Sequence, residues 1–277
     1  MHRVLITGAA GDIGSRLRTL LAGRYPALRL TDLKPMAPAG AGEEVVVADL
    51  GDPDAVEALC KDVDGIVHLG GISGESDWTS ILDANIVGSY NLFEAAKRQG
   101  VKRVVFASSN HAVGFYRRDQ VIGTDVTPLP DSRYGLSKAF GESLGALYAH
   151  KYGLEVLCLR IGNVTERPID KRRLSIWVSP RDLAGLIQIG LEHPDIKYEI
   201  AYGVSDNARG WWDNSAATRL GYQPQDRAED FAEAVLAEEP DHADDDVTEI
   251  YQGGTFVTAE YGGNPNQPPP DNEDQNR

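Results

Sequence analysis

Short apolar, β-branched runs alternate along the chain with stretches in which apolar residues recur every three to four positions. The runs at 4–7, 28–31, 45–47, 65–69, 103–107 and 156–161 are continuously apolar enough to be strands buried on both faces. Between them, 14–23, 55–62, 81–99 and 135–152 carry apolar residues at helical spacing and suit crossover helices. This alternation predicts an α/β fold built on a doubly wound parallel sheet. After residue 162 the pattern becomes irregular, with a helix expected at 181–192, a strand at 198–201 and helices at 214–220 and 229–237. These suit a small, partly helical cap over the sheet's carboxyl edge. The chain accordingly divides into 1–162, the sheet domain, 163–261, mostly cap and C-terminal segment, and 262–277. That last stretch, with Gly, Asn, Gln and Pro268-Pro269-Pro270, has nothing to bury and reads as disordered.

Composition narrows the class further. With 277 residues, 42% of them apolar, the chain is long enough for a full core, which excludes a disordered protein. No apolar run approaches the ~18 residues of a membrane span, and Met1-His2-Arg3-Val4 leads into the first strand without a cleavable signal pattern, so a cytoplasmic protein away from membranes is expected. Cys60 and Cys158 sit in apolar-periodic stretches without pairing or metal spacing and read as packing thiols; no metal site is expected. Forty-two acids against 27 lysines and arginines leave a net charge of −15, which disfavours a nucleic-acid partner. Arginine outnumbers lysine, and acids crowd 241–249; an ordinary acidic surface and one suited to a high-salt interior both fit that balance.

Two constellations carry chemistry. The first strand runs into Gly8-Ala-Ala-Gly11-Asp-Ile-Gly14 and then a helix. Glycines at such a turn let backbone N–H groups and a helix N-terminus approach a pyrophosphate, whose charge the helix dipole favours. Asp32, at the end of the second strand, can accept hydrogen bonds from both ribose hydroxyls of an adenosine while repelling a 2′-phosphate, which favours NAD over NADP. Asp49, after the third strand, suits either the adenine edge or a turn or helix cap. The second constellation is Tyr134-Gly-Leu-Ser-Lys138 with Ser109 upstream. Tyr and Lys at i and i+4 share a helix face, so the ammonium is expected to lower the phenol's pKa from about 10 towards neutrality and make a general base. Ser109, at the carboxyl end of the fifth strand, is placed to hold the reacting hydroxyl.

With these residues the chain resembles the short-chain dehydrogenase/reductase superfamily, in its extended, NAD-dependent epimerase/dehydratase-like branch. The likeness spans roughly residues 1–240, carried by Thr7-Gly-Ala-Ala-Gly-Asp-Ile-Gly14, Asp49-Leu50, His68-Leu-Gly-Gly71, Asn85-Ile-Val-Gly88, Ser108-Ser109 and Tyr134-Gly-Leu-Ser-Lys138. Within that branch, Gly70-Gly-Ile-Ser73, Ser108-Ser-Asn-His111, Trp211-Trp-Asp-Asn214 and Gln252-Gly-Gly-Thr-Phe256 resemble the uronate dehydrogenase family. The resemblance implies a Rossmann-like fold, NAD as cofactor, and oxidation of the C1 hydroxyl of D-glucuronate or D-galacturonate to an aldarate lactone. It implies Tyr134 as base, Lys138 as its partner and ribose ligand, and Ser109 as positioner. It implies substrate contacts from Ser73, Ser109, Asn110, His111, Asn163 and Arg172, with Arg173 the competing register for the carboxylate-gripping arginine. At Asn163 the family pattern has serine. The implied cofactor set is Gly8, Gly11, Asp12, Ile13, Gly14, Asp32, Leu33, Asp49, Leu50, Leu69, Gly70, Gly71, Asn85, Tyr134, Lys138 and Ile161. A homo-oligomer paired through the helices bearing Asn85 and Tyr134 is also implied.

Other readings stay open at this level. His111 suits a loop cap as well as a sugar contact, Trp211-Trp212 suits packing or sugar stacking, and Phe256 suits closure of the pocket or docking on a neighbouring subunit. The same Tyr/Lys pair serves nucleotide-sugar epimerases and dehydratases, though the stretch after Gly162 is short for a nucleotide-binding second domain. A catalytically silent dinucleotide sensor is the remaining alternative.

Overall fold

The computed structural model describes residues 1–238 and 247–263; the acidic residues 241–246 and the expected disordered residues 264–277 lie outside the described residues. Seven parallel strands form the main sheet in the order β3-β2-β1-β4-β5-β6-β9. They are β1 (Arg3–Thr7), β2 (Ala27–Asp32), β3 (Glu43–Val47), β4 (Gly65–His68), β5 (Arg103–Ser109), β6 (Glu155–Ile161) and β9 (Tyr198–Gly203). A two-stranded pair, β7 (Asn163–Val164) with β8 (Trp177–Val178), stands apart from it. The helices are α1 (Asp12–Leu20), α2 (Pro53–Cys60), α3 (Trp78–Ile81), α4 (Gly88–Gln99), α5 (Arg133–Tyr152), α6 (Lys171–Ile176), α7 (Pro180–Glu192), α8 (Ser215–Arg219), α9 (Ala232–Ala237) and α10 (Val247–Ile250). The strand order reverses between β1 and β4, the crevice where a ligand meets the carboxyl ends of such a sheet.

The apolar runs become strands because alternate residues feed opposite cores. Val4 and Ile6 join Val105, Leu157 and Leu159 under α1 and α7, while Leu5 joins Val104, Phe106, Val156 and Cys158 under α2, α4 and α5. Both thiols are free and buried. β3 departs from the expectation of burial on both faces. It is the edge strand, and Val47 is 63% exposed because no helix covers that end.

Residue 162 does not separate the layers. β9 extends the main sheet by pairing Val156 with Tyr198 through Ile161 with Gly203, and α7 covers the face that α1 covers. The cap proper is the β7–β8 pair with α6, the 3₁₀ turn Ala228–Phe231 and α9, joined by Leu174, Trp177, Ala228 and Ala232. We propose a division by layer rather than a single cut in the chain. The expected helix over 81–99 is also more differentiated: α3, a π-helical stretch Leu82–Val87 and α4 follow without a break.

Under the carboxyl edge lies a buried ion pair. Arg160 Nε donates to Glu142 at 2.9 Å, Ser108 Oγ donates to the same carboxylate oxygen at 2.6 Å, and the two charged side chains are 1% and 4% exposed. Glu142→Ala would leave the guanidinium buried against little but Tyr202, so a loss of about 3–5 kcal/mol in denaturant unfolding is expected. Replacing both partners by leucine should recover most of it, because neither charge then remains unpaired.

Candidate active site

The glycine turn is built for close approach. Gly8 has φ +67°, and a Cβ there would lie 2.8 Å from the Gly70 nitrogen; one at Gly14 would lie 2.3 Å from the Gly8 carbonyl oxygen. Only side-chain-free backbone lets β1, the loop after β4 and the start of α1 meet this closely. α1 begins at Gly11 with no side-chain cap, which leaves its first N–H groups free for an anion. Asp32 shapes the turn from β2, its two carboxylate oxygens accepting from Ala10 N–H and Lys34 N–H, both at 3.0 Å.

The neighbouring loop is tied to the same turn. Thr7 Oγ1 accepts from Gly70 N–H at 3.0 Å and meets His68 Nδ1 at 2.8 Å, and His68 Nε2 meets Ser89 Oγ at 3.1 Å. Burial pushes the His68 pKa down to about 3, so the ring is a neutral strut. Asn85, on the π-helical stretch, accepts from Ile72 N–H at 2.7 Å and donates to the Ile72 carbonyl and to Ser137 Oγ, both at 3.0 Å. It thereby clamps the loop behind Gly71 to α5; the irregular turn of helix falls where a side chain is needed for this work. Of the other expected cofactor residues, Leu50 packs under Gly70, Leu69 and Ile13 lie against the core, Ile161 ends β6, and Asp12 and Leu33 face solvent. Asp49 closes a turn by accepting from Gly51 N–H at 2.8 Å, while Asp52 caps α2.

Strand β5 and helix α5 bring the second constellation together. Ser132 caps α5 by accepting from Gly135 N–H at 2.9 Å, which sets Tyr134 in the first turn and Lys138 one turn on. The Ser109 hydroxyl lies near enough to the Tyr134 phenol to favour its ionised form. The Lys138 ammonium stands 5.4 Å from the Tyr134 ring centre and 5.3 Å from that of Phe106. Burial pushes the Tyr134 pKa up to about 12; the Ser109 contact opposes this and the Asp131 charge adds to it. Burial also pushes Lys138 down to about 8. In the protein alone burial thus outweighs the Ser109 contact and leaves the phenol above its ordinary range.

Of the expected substrate residues, one packs directly on Tyr134. His111 meets its ring edge-on at 5.8 Å between centroids and stacks on Phe256 at 3.7 Å, so Phe256 covers the site of its own chain. Asn110 is oriented to donate to the Ile161 carbonyl and accept from Arg172 Nη2, each at 3.2 Å. Arg172 Nε and Nη2 donate to the Gln252 carbonyl at 3.0 and 2.8 Å, and no carboxylate among the described residues pairs with it. Burial and the charges of Arg118 and Arg173 pull its pKa down to about 10, against Asp131 and Asp170. Arg173 is instead ion-paired with Asp170. Asn163 opens β7 and accepts from Thr165 Oγ1 at 3.2 Å. Ser73 stands exposed on the loop after β4 and makes no hydrogen bond to Tyr134, Ser109 or His111. Trp212 stacks on Tyr202 with centroids 4.8 Å apart and planes 2° from parallel, the packing role.

Two functional-looking residues, Asp131 and Glu75, escaped the sequence reading, and a third, Gln252, was read only as part of a family motif. Asp131 holds His111 Nδ1 at 2.6 Å, Glu75 accepts from Tyr134 N–H at 3.0 Å, and Gln252 is fully buried between Trp212, Arg117 and Gln120. Asp131 was visible only as an acid just before a helix cap; its partner is distant in sequence. Among the described residues no His/Cys/Asp/Glu group could hold a metal, and no helix is long and apolar enough to cross a membrane.

This glycine cradle, which a Cβ would fill, with its open helix start and an acid at the end of β2, fits a dinucleotide, and the Ser/Tyr/Lys set beside it defines a dehydrogenase- or epimerase-type enzyme. The chain belongs to the NAD dependent epimerase/dehydratase family, whose model matches residues 4–174. Its similarity to uronate dehydrogenases is extensive. The enzyme of Pseudomonas putida is 48% identical over 259 residues, 93% of this chain and 96% of that protein. Glucuronic acid dehydrogenase from Chromohalobacter salexigens superposes with a TM-score of 0.92 at 45% identity, covering 94% of this chain and 98% of that one. A tyrosine-to-alanine mutant of Agrobacterium tumefaciens uronate dehydrogenase, complexed with NAD, gives 0.91 with the same identity and coverage.

Burial of the Lys138 ammonium bears on stability. Its folded-state pKa, about 8, lies below the ordinary 10.5, so the unfolded chain takes up the proton first; stability falls as pH drops from 10.5 to 8, and the full loss persists below 8. Lys138→Met should therefore raise stability by about 1–2 kcal/mol near neutral pH, less than the full shift because the two ring contacts are lost. In thermal melts the gain should shrink as pH rises above 8 and vanish near 10.5.

Proposed function

We propose that the chain oxidises the C1 hydroxyl of a hexuronate, D-glucuronate or D-galacturonate, to the aldarate lactone with NAD. The observation that carries this reading is Arg172: a half-buried guanidinium, without a carboxylate of its own, bonded to Asn110 next to Ser109 in the chain. A free sugar acid supplies the missing anion, and a guanidinium grips a carboxylate through parallel hydrogen bonds. Arg173 already has Asp170, which favours Arg172 as the clamp. The close likeness to uronate dehydrogenases supports the same substrate class.

The glycine turn, the open start of α1 and Asp32 would hold NAD, with Lys138 on the ribose; the negative charge of Asp32 opposes a 2′-phosphate. When bound, NAD supplies the hydride acceptor and a positive charge on its oxidised ring. Ser109 orients the reacting hydroxyl and the Tyr134 phenolate takes its proton. Because burial and the Asp131 charge hold the phenol up at about 12 despite Ser109, Tyr134 works as a base only where positive charge gathers around it, and Lys138 is the protein's own contribution. Asn110, His111 and Asn163 surround the sugar's remaining hydroxyls, with Phe256 as cover over His111. Ser73 joins them by a movement of its exposed loop. Exposed Tyr90 on α4 and Leu136 and Leu147 on α5 support pairing with a second copy through these helices, so light scattering should show a homo-oligomer and Leu147→Glu a smaller species.

The first test is NADH formation with glucuronate, galacturonate, glucose, galactose and UDP-sugars. Reduction with both uronates and not the neutral sugars is expected. Silence with uronates alongside interconversion of a UDP-sugar would establish the epimerase reading instead, and silence throughout the sensor. Tyr134→Phe should abolish turnover with NAD affinity nearly intact. Arg172→Met should raise KM for the uronate by roughly 30- to 1000-fold, the ~2–4 kcal/mol of a lost desolvated charge contact.

A further inference from the structure

His111 is held from three sides. Its Nδ1 lies 2.6 Å from Asp131 Oδ2, one face stacks on Phe256, and its ring meets that of Tyr134 edge-on. The backbone repeats the partnership, since Asp131 N–H donates to the His111 carbonyl at 3.3 Å. The Asp131 side chain is wholly enclosed, 0% exposed. A Cβ at Gly114 or Gly253 would lie 1.8 or 2.1 Å from its Oδ2, so two side-chain-free segments close round the carboxylate, joined to each other by Gly253 N–H donating to the Gly114 carbonyl at 2.8 Å. The other oxygen accepts from Ser132 Oγ at 2.7 Å. Apart from His111, no basic side chain pairs with Asp131 among the described residues.

A carboxylate only accepts, so the proton in the short contact belongs to His111 Nδ1 and the ring atom left over is Nε2, which has no partner among the described residues. We propose that Asp131 is a positioning residue that holds His111 as the Nδ1–H tautomer, so that Nε2 accepts a hydroxyl proton from the sugar bound against Tyr134. This deepens, and rests on, the reading of the site as one for a hexuronate. Enclosure makes the arrangement rigid. The carboxylate cannot swing away because glycine backbone fills its surroundings, and an imidazole turned over would lose its Nδ1 contact with Asp131. Asp131 is therefore a tautomer lock formed between the approach to α5 and the C-terminal segment, two parts of the chain far apart in sequence.

Asp131→Asn tests it, being isosteric with the cage. An amide NH₂ donating to Nδ1 moves the ring proton to Nε2 and turns the substrate-facing acceptor into a donor. Imidazole nitrogen chemical shifts of His111 in the full-length protein, assigned by their loss in His111→Gln, should show Nδ1 protonated in the wild type and Nε2 protonated in Asp131→Asn. In kinetics, Asp131→Asn should raise KM for glucuronate by roughly 10- to 100-fold with NAD affinity unchanged. Combined with His111→Ala it should add nothing to that variant's own loss, because Asp131 acts through the ring. A wild-type ring protonated at Nε2, or additive losses in the double variant, would overturn the proposal. Should Asp131→Asn not fold, the wild-type shifts still decide the tautomer. If no uronate is oxidised by the wild type, the hexuronate reading fails by itself, and an Nε2-protonated ring in that same protein would remove the lock as well.

Discussion

Two cations stand without an ion pair among the described residues, Lys138 buried and Arg172 half-buried. Burial of an uncompensated charge is unfavourable by several kcal/mol, and both pKa values fall in response, to about 8 and about 10. The surroundings offset this with dipoles and ring faces: the Gln252 carbonyl and the Asn110 amide at Arg172, the rings of Tyr134 and Phe106 at Lys138. None of these neutralises the charge. The acids nearest Arg172, Asp131 and Asp170, act on it without pairing; the sugar carboxylate proposed above would supply the missing counter-charge.

The C-terminal segment maintains that arrangement. Gln252 reaches Trp212 through its side-chain oxygen, Arg117 and Gln120 through its amide, and Tyr116 through its backbone N–H, which leaves its carbonyl aimed at both donors of Arg172. The next two residues close over Asp131 and Arg172, and Phe256 lies on His111. The groups proposed to bind substrate, from the end of β5 and from α6, thus form one packed unit with residues 252–256. On the opposite side, Thr7, His68, Ser89 and Asn85 hold the cofactor loops without carrying charge.

How much of this could be read beforehand varied with the distance over which each interaction acts. The glycine turn and the Tyr134/Lys138 pair are local patterns, legible because a turn and one helical turn each span a few residues. The π-helical stretch around Asn85 was not, because its composition differs little from that of an ordinary helix and only the need to reach Ile72 and Ser137 together distinguishes it. The exposure of β3 followed from its place at the sheet's edge, which its valines do not encode. The opposite pKa shifts at Tyr134 and Lys138 could not be foreseen from a bare i, i+4 spacing, since spacing measures proximity and not desolvation.

The sequence by itself determined the parallel sheet with its crossover helices, the phosphate-type turn, the acid after β2 and the Tyr/Lys/Ser set, because strand alternation, helical periodicity and glycine placement act through the backbone nearby. Tertiary structure alone decided that Arg172 and not Arg173 is left without a counter-ion, that Phe256 covers its own chain's site, and that Asp131 partners His111. Each of these depends on which segments meet after folding. Burial then turns those meetings into chemistry, because it removes the water that would otherwise level every charge to its ordinary value.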